Sequence, residues 1–144
     1  MTGLAIAVSV QAQKIKEQDV PAPVRQEFKR LYPNAALDKW EMEEGNLYEA
    51  EFKLGKEEKE ALFDKEGKLV KTEVKLASIQ DLPILVLERL KKEFPGYRYE
   101  EPEKAETADG KILYEVEAEK GNEEYELLFD DKGTLVEKKA EEKK

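Results

Sequence analysis

The sequence predicts an α+β protein made of two tandem α-β-β-β-β repeats. The strands are antiparallel, read here as one continuous eight-stranded sheet with both helices on one face. Three observations predict this. Residues 48–71 recur at 114–137 without a gap, with 13 identities in 24 positions, including Tyr48/Tyr114, Glu49/Glu115, Gly55/Gly121, Phe63/Phe129, Asp64/Asp130 and Gly67/Gly133. An internal repeat of this length marks a duplicated structural unit. A helical apolar stripe precedes each copy, and apolar and charged residues alternate inside each copy. That alternation is the mark of strands with one buried face.

In chain order, residues 1–12 read as the tail of a secretory signal peptide. Gly3 to Val10 is a short apolar run, and Val10-Gln11-Ala12 places small residues at −3 and −1 of a cleavage site. The run is too short to span a bilayer, so the expected location is the periplasm, or secreted. Residues 13–77 form the first repeat, 78–137 the second, and 138–144 a charged tail expected to fray.

Residues 19–34 predict a helix, with Asp19 as N-cap, Pro21 in the first turn and Val24, Phe28, Leu31 and Tyr32 on one stripe. Pro33 stops it, and Asn34 is suited to a left-handed C-terminal conformation. Four strands follow. The first is Ala36 to Glu43; in the others Tyr48-Ala50-Phe52-Leu54, Ala61-Phe63 and Val70-Thr72-Val74-Leu76 point inward. Ser78 reads as linker. The second helix, Asp81 to Gly96, repeats the cap, stripe and stop and is more apolar. Its strands carry Ile112-Tyr114-Val116-Ala118, Tyr125-Leu127-Phe129 and Val136 inward. The first strand of the second copy is the weakest, begun by Tyr97 and Tyr99 and interrupted by Pro102 and a charged stretch to Gly110. In the Asp64–Gly67 and Asp130–Gly133 turns, Asp opens a type I turn and Gly takes the positive φ.

Composition excludes several function classes. The chain is 41% charged, carries a net charge of −9 and has neither Cys nor His. Phosphate backbones and anionic membrane surfaces repel such a protein. No thiolate, imidazole base or nitrogen–sulfur zinc site can be built. The aromatics are committed to the core, which leaves paired carboxylates no walled cleft in which to act as a glycosidase. The expectation is no enzyme, no nucleic acid and no membrane embedding.

The helix endings Leu31-Tyr32-Pro33 and Glu93-Phe94-Pro95, the Trp40 strand, the Tyr48-Glu49-Ala50-Glu51 and Tyr114-Glu115-Val116-Glu117 strands, and the Leu62–Gly67 and Leu128–Gly133 hairpins stand in a fixed order behind a signal peptide. In that order the chain resembles the PepSY-like family of bacterial envelope proteins, similar in fold to the β-lactamase inhibitor protein, over residues 19–137. The resemblance implies an exported, non-enzymatic module that binds a protein or peptide in the cell envelope. Inhibitors of that fold class grip their target with an aromatic open sheet face. Here the open face reads Glu41, Glu43, Glu49, Glu51, Lys53, Glu58, Glu60, Lys71, Glu73, Lys75, Glu115, Glu117, Glu124 and Glu126, with Leu62, Leu113 and Leu128 among them. Such a face lacks aromatic anchors.

The candidate binding residues are Glu49, Glu51, Glu115 and Glu117 on that face, for a basic partner, and Tyr97, Arg98 and Tyr99 where the repeats diverge. The competing reading of the face is a solvated surface of cross-strand Glu–Lys pairs. No cofactor is expected; calcium is the one metal the oxygen-only ligand set suits, with Asp64, Glu66, Asp130 and Asp131 as weak candidates. A calcium-responsive structural or sensor protein is therefore the alternative function. The oligomeric state is open between a monomer and a dimer paired through sheet edges.

Overall fold

The computed structural model describes residues 7–8 and 12–141. The expected leader lies outside these residues apart from 7, 8 and 12. The elements run β1 (Ala7–Val8), β2 (Gln13–Ile15), α1 (Ala22–Leu31), β3 (Ala36–Glu43), β4 (Leu47–Leu54), β5 (Glu57–Phe63), β6 (Leu69–Lys75), α2 (Ile84–Glu93), β7 (Arg98–Thr107), β8 (Ile112–Lys120), β9 (Glu123–Asp130) and β10 (Leu135–Ala140). The fold is α+β, with two strands beyond the eight expected, β1 and β2. None of the described helices is long and apolar enough to cross a membrane.

The chain divides into two units. One holds residues 12–74 and 106–111, the other residues 7–8, 75–105 and 112–141. In the first, the strand order is β2-β3-β4-β5-β6, each pair antiparallel. Alternation sends Trp40, Ala50, Phe52, Ala61 and Phe63 to one face, where they meet Val20, Val24 and Phe28 of the helical segment in a single core. Phe28 packs edge-on to Trp40 and Phe52, with centroids 5.4 and 5.2 Å apart. In the second unit the order is β1-β10-β9-β8-β7, with β1 parallel to β10. Val116, Ala118, Leu127 and Phe129 pack against Leu82, Val86, Leu87, Leu90 and Phe94. Matching core positions exchange volume between the units: Ala50 and Phe52 stand where the second has Val116 and Ala118, and Ala61 stands where it has Leu127. Interiors keep total volume more strictly than side-chain identity.

Each hairpin turn leans on its helix. Gly67 (φ 88°) and Gly133 (φ 82°) are buried, and a Cβ on them would sit 2.6 Å from Pro23 O and 2.5 Å from Leu85 O. Only glycine allows both the left-handed backbone and this approach. Asp64 and Asp130 open the turns as expected. Each Oδ1 accepts two backbone N–H groups, from Glu66 and Lys68 and from Lys132 and Thr134.

The structure corrects several expectations. Asp19 and Asp81 do not cap the α-helices; they end short 3₁₀ turns, Glu17–Asp19 and Ile79–Asp81, and the helices start after Pro21 and Pro83. Proline fixes φ for a helix start, so the X-Pro step moves the boundary inward. Ser78 is a cap, not linker: its Oγ accepts from Gln80 N, and its own N–H donates to Asp81. Asn34 keeps a negative φ, whereas Gly96 takes the left-handed conformation (φ 79°). Val70 and Val136 do not face the core. A β-bulge in each repeat puts Leu69 and Leu135 there instead, and leaves Val136 49% exposed. β7 runs unbroken through Pro102, with Glu101 at φ 51° absorbing the irregularity. The tail does not fray at 138–140. β10 pairs Lys138, Lys139 and Ala140 with β9, and Glu141 N donates to Glu124 O at 2.8 Å.

Candidate functional site

In the first unit, strand register lines up the open face in two rows. One runs Glu41–Glu49–Leu62–Lys71, the other Lys39–Glu51–Glu60–Glu73. Carboxylates therefore stand directly opposite carboxylates. Lysines reach both along and across the strands: Lys39 Nζ lies 2.6 Å from Glu41 and Lys71 Nζ 2.6 Å from Glu73, and Lys39 also reaches across to Glu51 at 3.3 Å. Glu49 receives no ion pair among the described residues. Burial, reinforced by Glu60, Glu43, Glu73 and Glu51, pushes its carboxyl up to about 10, so at neutral pH it holds its proton. Like charges and desolvation both oppose ionisation. Leu62, between Glu49 and Lys71 in its row, is only 7% exposed.

The second unit repeats the arrangement. Glu117 stands opposite Glu126 and Glu119 opposite Glu124, while Glu115 faces Leu128. Burial first, then Glu124, Glu101, Glu126 and Glu100, pushes Glu117 up to about 7. Glu141 rises to about 8 through burial and its contacts with Glu126, Glu117 and Glu124. Among the described residues, two three-carboxylate groups lie within a single unit, Glu41–Glu49–Glu51 and Glu117–Glu124–Glu141. In each, one oxygen per residue lies within 4.8 Å of the others. These are the places on each unit where a hard cation finds several oxygens. The turn residues Asp64 and Asp130 spend their carboxylates on backbone N–H groups, which hold Asp130 below the usual carboxylate range. Glu66 and Asp131 are exposed beside them.

Of the candidate binding residues, Glu49 and Glu51 come together with Glu41, and Glu117 joins Glu124 and Glu141, while Glu115 stays outside both groups. Tyr97, Arg98 and Tyr99 separate. Tyr99 turns inward, its hydroxyl donating to Phe94 O at 2.6 Å and Leu90 O at 3.0 Å. Tyr97 packs edge-on against Phe94 at 5.5 Å, and its hydroxyl bonds to Glu123. Arg98 points to the open side and pairs with Glu100 at 2.6 Å and Glu119 at 2.8 Å.

Sequence reasoning missed two features. Glu141 had been assigned to a fraying tail. A half-open cleft of about 500 Å³ on the helix side of the first unit is lined by Arg25, Phe28, Lys29, Tyr32, Leu37 and Trp40, among others. The signal for the cleft was present: where the second repeat has Tyr97 and Tyr99, the first has Ala35 and Leu37.

Comparison with known proteins matches this geometry to a fold and a family. A BLIP-like protein from Bacteroides fragilis is 29% identical, with a TM-score of 0.65 over 83% of this chain and 86% of that one. A DUF2874 family protein from Bacteroides ovatus is 21% identical, with a TM-score of 0.71 over 85% of this chain and 89% of that one. A candidate periplasmic protein from Bacteroides eggerthii is 18% identical, with a TM-score of 0.72 over 84% and 88%. No curated protein matches the chain. A family model described as beta-lactamase-inhibitor-like, PepSY-like matches residues 6–71 and again 46–137. Two overlapping matches are what a duplicated unit produces, and the chain belongs to the PepSY-like, beta-lactamase-inhibitor-like family.

Proposed function

We propose that the protein is an exported, non-enzymatic binding module of the bacterial periplasm. Its carboxylate-rich sheet face takes a basic segment of an envelope protein or peptide. The observation that carries this reading is the cross-strand register, which sets Glu41 against Glu49 and Glu51 against Glu60 and leaves Glu49 without a cation among the described residues. A lysine or arginine laid across these rows offsets the glutamate repulsion and allows Glu49 to ionise, and charge-assisted bonds to partly dehydrated carboxylates are stronger than those in open solvent. The periplasmic part draws support from the similarity to the Bacteroides eggerthii protein, and the binding part from the BLIP-like relative of Bacteroides fragilis. The test is affinity capture from an envelope extract, with a variant carrying Glu49→Lys and Glu51→Lys as control. A protein captured by the wild type and lost by the variant supports the reading. Equal recovery by both sinks it.

A second reading is favoured by the two three-carboxylate groups, Glu41–Glu49–Glu51 and Glu117–Glu124–Glu141: a calcium-responsive structural or sensor protein. Calcium binding only the folded state raises Tm by mass action. Melts with millimolar calcium and with chelator separate the readings, since equal midpoints remove the calcium one.

A further inference from the structure

The helix-side cleft of the first unit has a built character that the acidic face does not explain. Its apolar lining is Phe28, Tyr32, Leu37 and Trp40. Phe28 and Tyr32 meet tilted, with centroids 5.7 Å apart, and Phe28 holds Trp40 edge-on at 5.4 Å. Arg25 and Lys29, one helical turn apart, place two cations along the lining. Arg25 uses only Nε internally, donating to Val20 O at 3.1 Å, and Lys29 makes no ion pair among the described residues. Glu17 is the single carboxylate in the lining. Trp40 Nε1 is buried and has no hydrogen-bond partner among the described residues. An orphaned buried donor costs about 1–3 kcal/mol, and native proteins tolerate few of them.

The second repeat builds the matching helix-side position differently. There Tyr97 and Tyr99 replace Ala35 and Leu37, and Leu87 replaces Arg25. Tyr99 seals the helix end through Leu90 O and Phe94 O. Lys138 Nζ sits 4.1 Å over the Tyr125 ring, and Lys120 sits over Tyr97. Aromatic rings and cations are thus already joined in the second unit. In the first unit those positions hold Ala35, Lys59, Leu54 and Thr72, and a different set, Arg25 and Lys29 with Phe28, Tyr32 and Trp40, lines an open cleft.

We infer that the cleft is a second binding site, and that it takes the C-terminal residue of a peptide. A bulky apolar side chain packs on Phe28, Tyr32, Leu37 and Trp40, and the terminal carboxylate is held by Arg25 and Lys29. Charge complementarity selects this occupant. In a chain of net charge −9, two cations without carboxylate partners among the described residues, beside an aromatic floor, suit an anion attached to an apolar group. The site lies apart from the acidic face and takes the opposite charge.

Trp40 is the only tryptophan, so its emission reports on this cleft alone. The full chain is titrated with a short acetylated peptide ending in a free-carboxylate Phe, with the same peptide as its C-terminal amide, and with N-acetylphenylalanine. The free acid is expected to shift Trp40 emission saturably, and the amide to bind roughly tenfold or more weakly. Leu37→Tyr, copying the second repeat, is expected to abolish the response while leaving Tm unchanged or raised. Lys29→Gln should weaken binding, and Glu49→Lys should leave it unaltered. The proposal is overturned if acid and amide bind alike, if Leu37→Tyr binds as wild type, or if no peptide moves the emission at millimolar concentration. N-acetylphenylalanine binding as tightly as the peptide would overturn the assignment to a chain end in favour of a free carboxylate.

Discussion

Glu49 shows how far a single side chain departs from what its residue type suggests. Its carboxyl rises from an ordinary 4.5 to about 10 because burial and four neighbouring glutamates disfavour the charge. The folded protein therefore binds a proton that the unfolded chain has lost across that interval. Stability is greatest at the acid end and falls as pH rises through the window. Glu117 and Glu141 act in the same direction, up to about 7 and about 8. Glu49→Gln keeps the shape and removes the titration. Melts from pH 5 to 9 should show a wild-type Tm that declines with pH and a variant curve that is flatter and higher at pH 8. A gain of ~1 kcal/mol moves Tm by about 4 °C in a chain this size. An unchanged slope would mean Glu49 is ionised in the fold.

At the scale of elements, the contact between hairpin turn and helix start is the joint of each repeat. Gly67→Ala and Gly133→Ala force a Cβ against the backbone carbonyls of Pro23 and Leu85 at a positive φ. Each should destabilise its unit by about 2–4 kcal/mol in urea unfolding. Gly55→Ala, which meets nothing within 4 Å, should cost only about 1 kcal/mol. Similar losses at Gly67 and Gly55 would show that the turn gives way without disturbing the helix. Ser78→Ala removes a cap that looked like linker, and should cost about 1 kcal/mol. The hairpins, turn residues and helix stripes were legible in the sequence because each is a local pattern. The bulges that bring Leu69 and Leu135 inward were not. One extra residue in a strand leaves the hydrophobic alternation ambiguous until a partner strand is in place.

Over the whole molecule, acidic residues outnumber basic ones, 34 to 25, and register places glutamates opposite glutamates on the open face of each unit. Repulsion outweighs the exposed ion pairs, which individually contribute little. Raising NaCl from 10 to 300 mM, which shortens the screening length to below about 10 Å, should therefore raise Tm by roughly 2–5 °C. A fall would mean that the lysine contacts dominate.

By itself the sequence determined the duplication, the α+β class, the inward side of most strands and the acidic character of the face. Side-chain alternation, turn chemistry and charge are written residue by residue. Tertiary structure alone decided which of the glutamates stand together. Glu41, Glu49 and Glu51 meet across β3 and β4, and Glu141 joins Glu117 and Glu124 because β10 carries the chain beyond its expected end. It also decided that Tyr99 closes on the helix end in one repeat while a cleft beside Leu37 stands open in the other. Both depend on cross-strand register and on the packed volume of side chains distant in sequence, which no local pattern records.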